Sequence, residues 1–338
     1  MGGDKPRPTL KTIAQLTGLA VPTVSRALSN ATDIGKETRE RVQRVAKEIG
    51  YVPDRAGVRL RTGRTHVIAL ALWTEADVLN LTARLINSIA TALRHTSYHL
   101  NIMPCMSDED IMLPIRHIVE TRAADAIIMN QIRPEDPRVS YLMERGFPFA
   151  THGRTTWSKD HAFYDYDNHA FAQSAVELML SRGRSNLALL APPADQSYSM
   201  EMIKGFSAAA TAAGATFEVI KNLTSDDHNS KIVDYFREFR GPDPRFDGLV
   251  FGSANACMAA AAGLEQGGYT LGKDVDVTTK EAIPFLGQFR PAILTYAEDA
   301  WAAGDFLARA AIKRIEQPDE APMQFLEQPV AHPAPNRS

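Results

Sequence analysis

Cysteine is scarce and long apolar runs are missing. Only Cys105 and Cys257 occur in 338 residues. Two cysteines are too few for a disulfide framework, so a reducing compartment is expected and both read as small buried hydrophobes. No stretch approaches the ~18 consecutive apolar residues that mark a membrane helix. The opening Met1-Gly-Gly-Asp-Lys-Pro-Arg-Pro8 lacks the apolar core of a secretory signal. A cytoplasmic protein with no membrane association is expected. The commoner catalytic and phosphate-binding signatures are also missing: no G-x-x-x-x-G-K-[ST], G-x-S-x-G, H-E-x-x-H or C-x-x-C occurs. His95 and His99 are four apart, but Tyr98-His99 reads as the start of a strand, which removes the helical face a metal pair would need. No enzyme, cofactor or metal site is expected.

What is present is ordinary in bulk and uneven in detail. Hydrophobic residues make up 44% and charged residues 23%, a soluble globular composition, and the length suits more than one domain. Residues 1–65 hold 13 Lys+Arg against 6 Asp+Glu, a net of +7, while the rest of the chain carries −10. A basic head on an acidic body points to a polyanion as the partner of the head.

The head has helical periodicity. Leu10 to Gly18 reads as a short helix with Ile13, Ala14 and Leu16 inward and Gly18 in the turn. Val21-Pro-Thr-Val-Ser-Arg-Ala-Leu28 reads as a second helix, with Pro22 in its first turn, where no hydrogen bond is lost. Val24, Ala27 and Leu28 form its apolar stripe, leaving Val21, Pro22, Thr23, Ser25 and Arg26 on the other side. A third helix is expected from about Lys36 to Ile49, with Val42, Val45, Ala46 and Ile49 spaced i, i+3, i+4, i+7 and Gly50 as its stop. The pattern makes a helix-turn-helix, whose second helix enters a DNA major groove; a generic three-helix module is the alternative on geometry alone.

The stretch Thr12-Ile-Ala-Gln-Leu-Thr-Gly-Leu-Ala-Val-Pro-Thr-Val-Ser-Arg-Ala-Leu-Ser-Asn30, then Lys36-Glu-Thr-Arg-Glu-Arg-Val42 and Ile49-Gly-Tyr-Val-Pro53, resembles the head of the lactose-repressor (LacI/GalR) family, at the family spacing and without gaps. The resemblance implies a sequence-specific transcription regulator, here expected to be a repressor of a carbohydrate operon. Val21, Pro22 and Arg26 would then read bases, Arg26 by forking onto a guanine edge, while Thr12, Thr23, Ser25 and Tyr51 would meet the DNA backbone. Residues 54–63 resemble the family's hinge helix, with Gly57 and Val58 in it and Leu60 as a wedge between minor-groove base steps. Gly57 lowers helix propensity by ~1 kcal/mol relative to alanine, so a hinge poorly ordered without DNA is expected. On composition alone the segment reads as a plain linker.

Residues 64–338 alternate strand and helix. Strands are expected at 67–72, 99–103, 126–129, 147–151, 187–190, 217–220 and 248–251, with helices at 81–94, 111–121, 139–145, 168–182, 200–213, 229–239 and 255–266. Such alternation predicts parallel sheets covered by helices, and two series predict two subdomains. The fold class expected is a small all-α head plus an α/β body like periplasmic sugar-binding proteins, with two Rossmann-like subdomains. Its divisions are 1–53 head, 54–63 hinge and 64–338 body. Within the body, subdomain 1 takes about 64–165 plus 293–320, and subdomain 2 about 166–292 plus 321–330. The tail from about Gln328 reads as a disordered end.

Parallel sheets bind ligands at the carboxyl ends of their strands, so an inter-sheet cleft is the expected pocket. Effector candidates are Trp73, Glu75, His152, Arg154, Gln196, Tyr198, Asn255, Glu281 and Glu298. A ring stacks on an apolar sugar face, and carboxylates accept hydroxyl protons. A mono- or disaccharide is expected, and His152-Gly-Arg with the hinge text resembles an alphaproteobacterial branch that includes α-glucoside-operon repressors. Met202 stands where the family often keeps an arginine, and Glu281 where it usually has an aspartate. A homodimer on a palindromic operator is expected, because each head reads one half-site. A corepressor-dependent regulator of a non-sugar metabolite fits the same text. A free-standing sugar-binding protein does not need the basic head, and an architectural DNA binder does not need the body.

Overall fold

In a computed structural model, residues 8–52, 57, 59, 63–73, 81–106, 109–239 and 246–332 are described. The chain divides into two units, residues 1–65 and 66–338.

The first unit holds α1 (Leu10–Thr17), α2 (Val21–Leu28) and α3 (Lys36–Glu48). Thr9 and Thr12 cap the start of α1 reciprocally, and Gly18 closes it with φ 69°, a left-handed value that favours glycine. Ile13, Ala14, Val24, Ala27, Val42 and Ala46 form the core, with Leu28, Val45 and Ile49 packed against it. Leu16 departs from expectation: it is 57% exposed. The inward place belongs to Thr17, whose hydroxyl donates to the Ile13 carbonyl at 2.7 Å and so buries without an unpaired group. In the segment expected to be a hinge, Gly57 and Arg59 have helical backbone, and the Gly63 N–H donates to the Arg59 carbonyl at 2.8 Å. Val58 and Leu60 lie outside the described residues.

The second unit is built on two six-stranded sheets. The first contains β1 (Val67–Trp73), β2 (His99–Cys105), β3 (Ala126–Met129), β4 (Phe149–His152), β5 (Ala162–Tyr166) and β11 (Gln324–Glu327) in the order β11-β5-β4-β3-β1-β2, all parallel. The second contains β6 (Asn186–Leu190), β7 (Thr216–Val219), β8 (Gly248–Phe251), β9 (Asp276–Glu281), β10 (Ile293–Ala297) and β12 (Val330–Ala331) in the order β12-β10-β9-β8-β6-β7, with only β12 antiparallel. Both faces of each sheet are covered by apolar clusters, which explains why β1, β3 and β8 read as unbroken hydrophobic runs. Cys105 and Cys257 are both buried and unpaired.

Three corrections follow from the pairing. β10 pairs with β9 in the second sheet, so residues 293–297 belong to the second subdomain rather than the first. β11 pairs with β5, so residues 324–327 belong to the first subdomain rather than the second. The chain thus crosses near Asp167, Glu298–Asp299 and Gln328–Pro329. Residues 330–331, read as disordered, pair with Tyr296 and Ala297.

Helices α4 (Leu81–Leu93), α5 (Leu113–Thr121) and α6 (Pro137–Glu144) connect the first sheet. Helices α7 (Asn168–Ser181), α8 (Ser197–Ala212), α9 (Asn229–Arg237), α10 (Ala254–Gln266) and the short α11 (Leu286–Phe289) serve the second. The long α12 (Ala300–Glu316) returns to cover the first sheet, burying Ala303, Leu307, Ala308, Ala310 and Ala311. Gly205 permits α8 to lie on α7: a Cβ there would stand 2.2 Å from the His169 carbonyl oxygen, while its neighbour Phe206 is fully buried. Among the described residues, no helix is long and apolar enough to cross a membrane.

Candidate functional site

Within the second unit, a cleft of about 190 Å³ opens at the carboxyl ends of the strands of both sheets. The first sheet contributes Trp73 from the end of β1, His152 from β4, and Asp165 and Tyr166 from β5. The second contributes Lys280 and Glu281 from β9, with Tyr198 and Asn255 in the first turns of α8 and α10 and Glu298 just past β10. Trp73, His152, Tyr198, Asn255, Glu281 and Glu298 thus come together as expected from strand-end placement. Glu75 lies outside the described residues.

Arg154 and Gln196 do not line the cleft. Arg154 turns its guanidinium to Asp165, donating from Nε to Oδ2 at 2.7 Å, and so stands behind a residue that does. Gln196 is buried at the N-cap position of α8, with its amide toward Asp195. Glu281 lines the cleft but is partly engaged already. Its Oε2 accepts from the backbone N–H groups of Phe285 (3.2 Å) and Leu286 (2.9 Å), and its Oε1 lies 3.2 Å from His332 Nδ1.

Sequence reading missed several lining residues. Lys280 and Glu298 form a buried ion pair at 3.1 Å, and the ammonium lies 4.9 Å from the Tyr166 ring centroid. The Tyr166 hydroxyl and Asn168 Oδ1, which belong to lining residues, are themselves buried and have no hydrogen-bond partner. Such atoms are costly unless a ligand or water satisfies them. Burial pushes the Asp165 carboxyl up to about 6, with Arg154 opposing. Burial also pushes the His152 imidazole down, with the Glu298 charge opposing, which favours its neutral form.

The rim is held by a second buried pair. Arg138 Nη2 donates to Asp136 Oδ2 at 2.7 Å and to the carbonyls of Gln131 (2.8 Å) and Asn130 (3.3 Å), and both Asn130 and Gln131 line the cleft. Glu327 ties the crossovers: its carboxylate accepts from the Tyr164 hydroxyl (2.9 Å) and the Asp299 N–H (2.8 Å), and its carbonyl from the Asp167 N–H (2.8 Å). No group of three or more His, Cys, Asp or Glu able to hold a metal occurs among the described residues.

In the head, Pro22 and Arg26 are exposed on α2, and Val21, Thr23, Ser25 and Tyr51 are half-buried. The Arg26 guanidinium pairs with the Asp33 carboxylate. The Thr12 hydroxyl accepts from the Thr9 N–H at 3.1 Å in the α1 cap.

Residues 9–54 match "Bacterial regulatory proteins, lacI family", and residues 82–300 match "Periplasmic binding proteins and sugar binding domain of LacI family". The chain belongs to the LacI family. It is a helix-turn-helix transcription regulator. Among its relatives, the HTH-type transcriptional regulator AglR of Rhizobium meliloti (strain 1021) is 27% identical over 345 residues, covering 97% of this chain and 96% of that protein. The regulator CelR of Thermobifida fusca is 25% identical over 330 residues, covering 95% of each. Among solved structures, the CelR–cellobiose complex superposes with TM-score 0.70 at 23% identity, over 97% of this chain and 99% of that one. The lac repressor dimer bound to operator and the anti-inducer ONPF does so with TM-score 0.79 at 16% identity, over 97% and 98%. At these identities the structures establish the fold of this LacI-family chain.

Proposed function

We propose that this LacI-family regulator is a cytoplasmic, non-enzymatic repressor that binds a palindromic operator as a homodimer and is released by a small saccharide held in the cleft. The observation that carries the saccharide is the cleft wall: aromatic Trp73 and Tyr198 stand with the carboxylates Asp226 and Glu298 around one cleft. An aromatic face covers the apolar side of a pyranose, and carboxylates accept its hydroxyl protons. The cellobiose in the complex of the relative CelR supports the same ligand class, and the resemblance of the hinge and of His152-Gly-Arg favours α-glucosides within it.

On this reading residues 1–53 are the DNA-binding head, 54–63 the hinge, and the remainder the sensor. Val21, Pro22 and Arg26 read bases, Thr12, Thr23, Ser25 and Tyr51 position the head on phosphates, and Gly57, Val58 and Leu60 sit in the minor groove. Sugar binding moves the first subdomain against the second about the three crossovers and changes the spacing of the paired hinges. Selection of random duplexes by the purified protein, with and without a mixture of mono- and disaccharides, tests the reading. A palindrome enriched without sugar and lost with it is expected. Enrichment only in the presence of sugar would reverse the sign of regulation, and no enrichment in either condition would overturn the proposal.

A further inference from the structure

The two subdomains touch beside the cleft. In the first, the loop after β3 runs through Gln131, which lines the cleft and has φ 50°, a left-handed value uncommon for a residue other than glycine. That loop is fixed from behind. Arg138 donates to the Gln131 carbonyl at 2.8 Å, the Arg133 N–H to Asp136 Oδ2 at 3.1 Å, and the Thr156 N–H to the Pro134 carbonyl at 2.8 Å. From this base the loop reaches the second subdomain twice. The Ile132 carbonyl accepts from the Ser197 N–H at 2.8 Å, and Arg133 Nη2 lies 2.9 Å from Asp195 Oδ2. Ser197 opens α8, whose N-cap residue Gln196 makes no side-chain capping bond. The first N–H groups of a helix have no partner within it, and here one of them is satisfied by a carbonyl of the opposite subdomain. Ile132 and Ser197 adjoin the lining residues Gln131 and Tyr198, one on each side. Their contact therefore sets the separation of two walls of the cleft.

We propose that Ile132, Arg133, Asp195 and Ser197 form a latch between the subdomains that gates entry to and exit from the cleft. This rests on the reading of the cleft as the saccharide site and adds how that site opens. A sugar held between the Gln131 and Tyr198 walls leaves when they part, and parting breaks both contacts. The latch joins protein to protein, so it acts on entry and exit alike, whereas a residue that touches the sugar acts on exit. Weakening the latch should therefore speed association and dissociation together and leave Kd nearly unchanged.

Ser197→Pro isolates the backbone contact. Proline is favoured at the first helical position, where its missing N–H has no partner in the helix. Gln196, at φ −88° and ψ 137°, already has the extended backbone that the residue before a proline needs. Arg133→Ala isolates the ion pair, which is partly exposed. Stopped-flow tryptophan fluorescence of the full-length protein reads the rates, since Trp73 lines the cleft; maltose, cellobiose, sucrose, trehalose and raffinose are the probes. Ser197→Pro should raise both rates roughly 2- to 10-fold and Arg133→Ala roughly 1.5- to 5-fold, with Kd within about twofold and the urea midpoint unchanged. Exchanging the charges, Arg133→Asp with Asp195→Arg, should bring the rates back toward wild type. Rates unchanged in both variants overturn the latch and leave the saccharide reading intact. So does a Kd that rises in step with the dissociation rate. If none of these sugars binds, the saccharide reading fails, and hydrogen exchange still decides the latch. The Ser197 N–H should then exchange faster in Arg133→Ala than in wild type, and equal exchange overturns the latch as well.

Discussion

Replacing Arg138 by methionine should both destabilise the sensor and loosen its cleft. Arg138 is 2% exposed and Asp136 0%. Their contact is bidentate, with Nε to Oδ1 at 2.9 Å and Nη2 to Oδ2 at 2.7 Å. Methionine keeps most of the volume and removes the charge. It leaves a carboxylate buried with only the Arg133 N–H and the backbone N–H of residue 138 as donors, and strips a donor from the carbonyls of Asn130 and Gln131. Breaking one side of a desolvated pair costs roughly 3–5 kcal/mol. The loss should appear as a lower urea midpoint of the sensor transition with an unchanged slope. The double substitution Asp136→Leu with Arg138→Met should recover much of it, because no lone charge remains. The pH dependence has a definite sign. Burial pushes the Asp136 carboxyl up, but Arg138 and the backbone donors outweigh it and hold it below its ordinary 3.8. A depressed carboxyl contributes stability that is fully present above the unfolded value and is lost as pH falls through the folded one. The gap between wild type and Arg138→Met should therefore shrink as pH falls, starting where the unpaired Asp136 carboxyl of the variant protonates, which burial places above its ordinary 3.8. Effector affinity should fall as well, since the 130–131 rim loses its anchor. A stability loss under about 1 kcal/mol, with cleft binding unchanged, would refute the reasoning.

Other outcomes follow from single contacts. Asp165 titrates at about 6 in the cleft wall, so effector affinity should show an inflection near that pH, tighter above it, which Asp165→Asn should flatten; calorimetry at several pH values reads this. Gly205→Ala should cost roughly 1–3 kcal/mol in urea unfolding, because its methyl group meets the α7 backbone and the two helices must separate; a neutral result would mean that the helices are not so close. Arg26→Ala should relax base preference at one position per half-site, seen by sequencing selected duplexes. Leu60→Ser should reduce specific affinity while sparing weak, salt-sensitive binding, and equal loss of both would remove the wedge.

The head was legible because its helices are amphipathic and its motif residues are contiguous. Its one misplacement, Leu16 for Thr17, arose because an eight-residue helix constrains its stripe weakly and because a threonine can bury by bonding back to the preceding turn. In the body, apolar strands such as Val67–Trp73 announced themselves, but β9 did not. Its text, Asp-Val-Thr-Thr-Lys-Glu, is polar, yet all six residues are buried. Asp276 is neutralised by Arg182 and Arg184 at 2.8 Å each, Lys280 by Glu298, and Glu281 accepts two backbone N–H bonds. Partners distant in sequence carry no local signal, which is why Lys280 and Asp165 escaped the list of candidates. The strand-swapped C-terminus was hidden for a related reason. β11 and β12 span only four and two residues, and their sheets are chosen by pairing rather than by pattern.

The central claim is that the head and the cleft are coupled. Fluorescence anisotropy of a selected palindrome, titrated with the protein at zero and at saturating effector sugar, measures it directly, and the reciprocal titration of sugar with and without DNA completes the cycle. Sugar should weaken DNA binding by a factor in the range of about 5–150, and DNA should weaken sugar binding by the same factor. DNA affinity unchanged by a sugar that demonstrably occupies the cleft would contradict it.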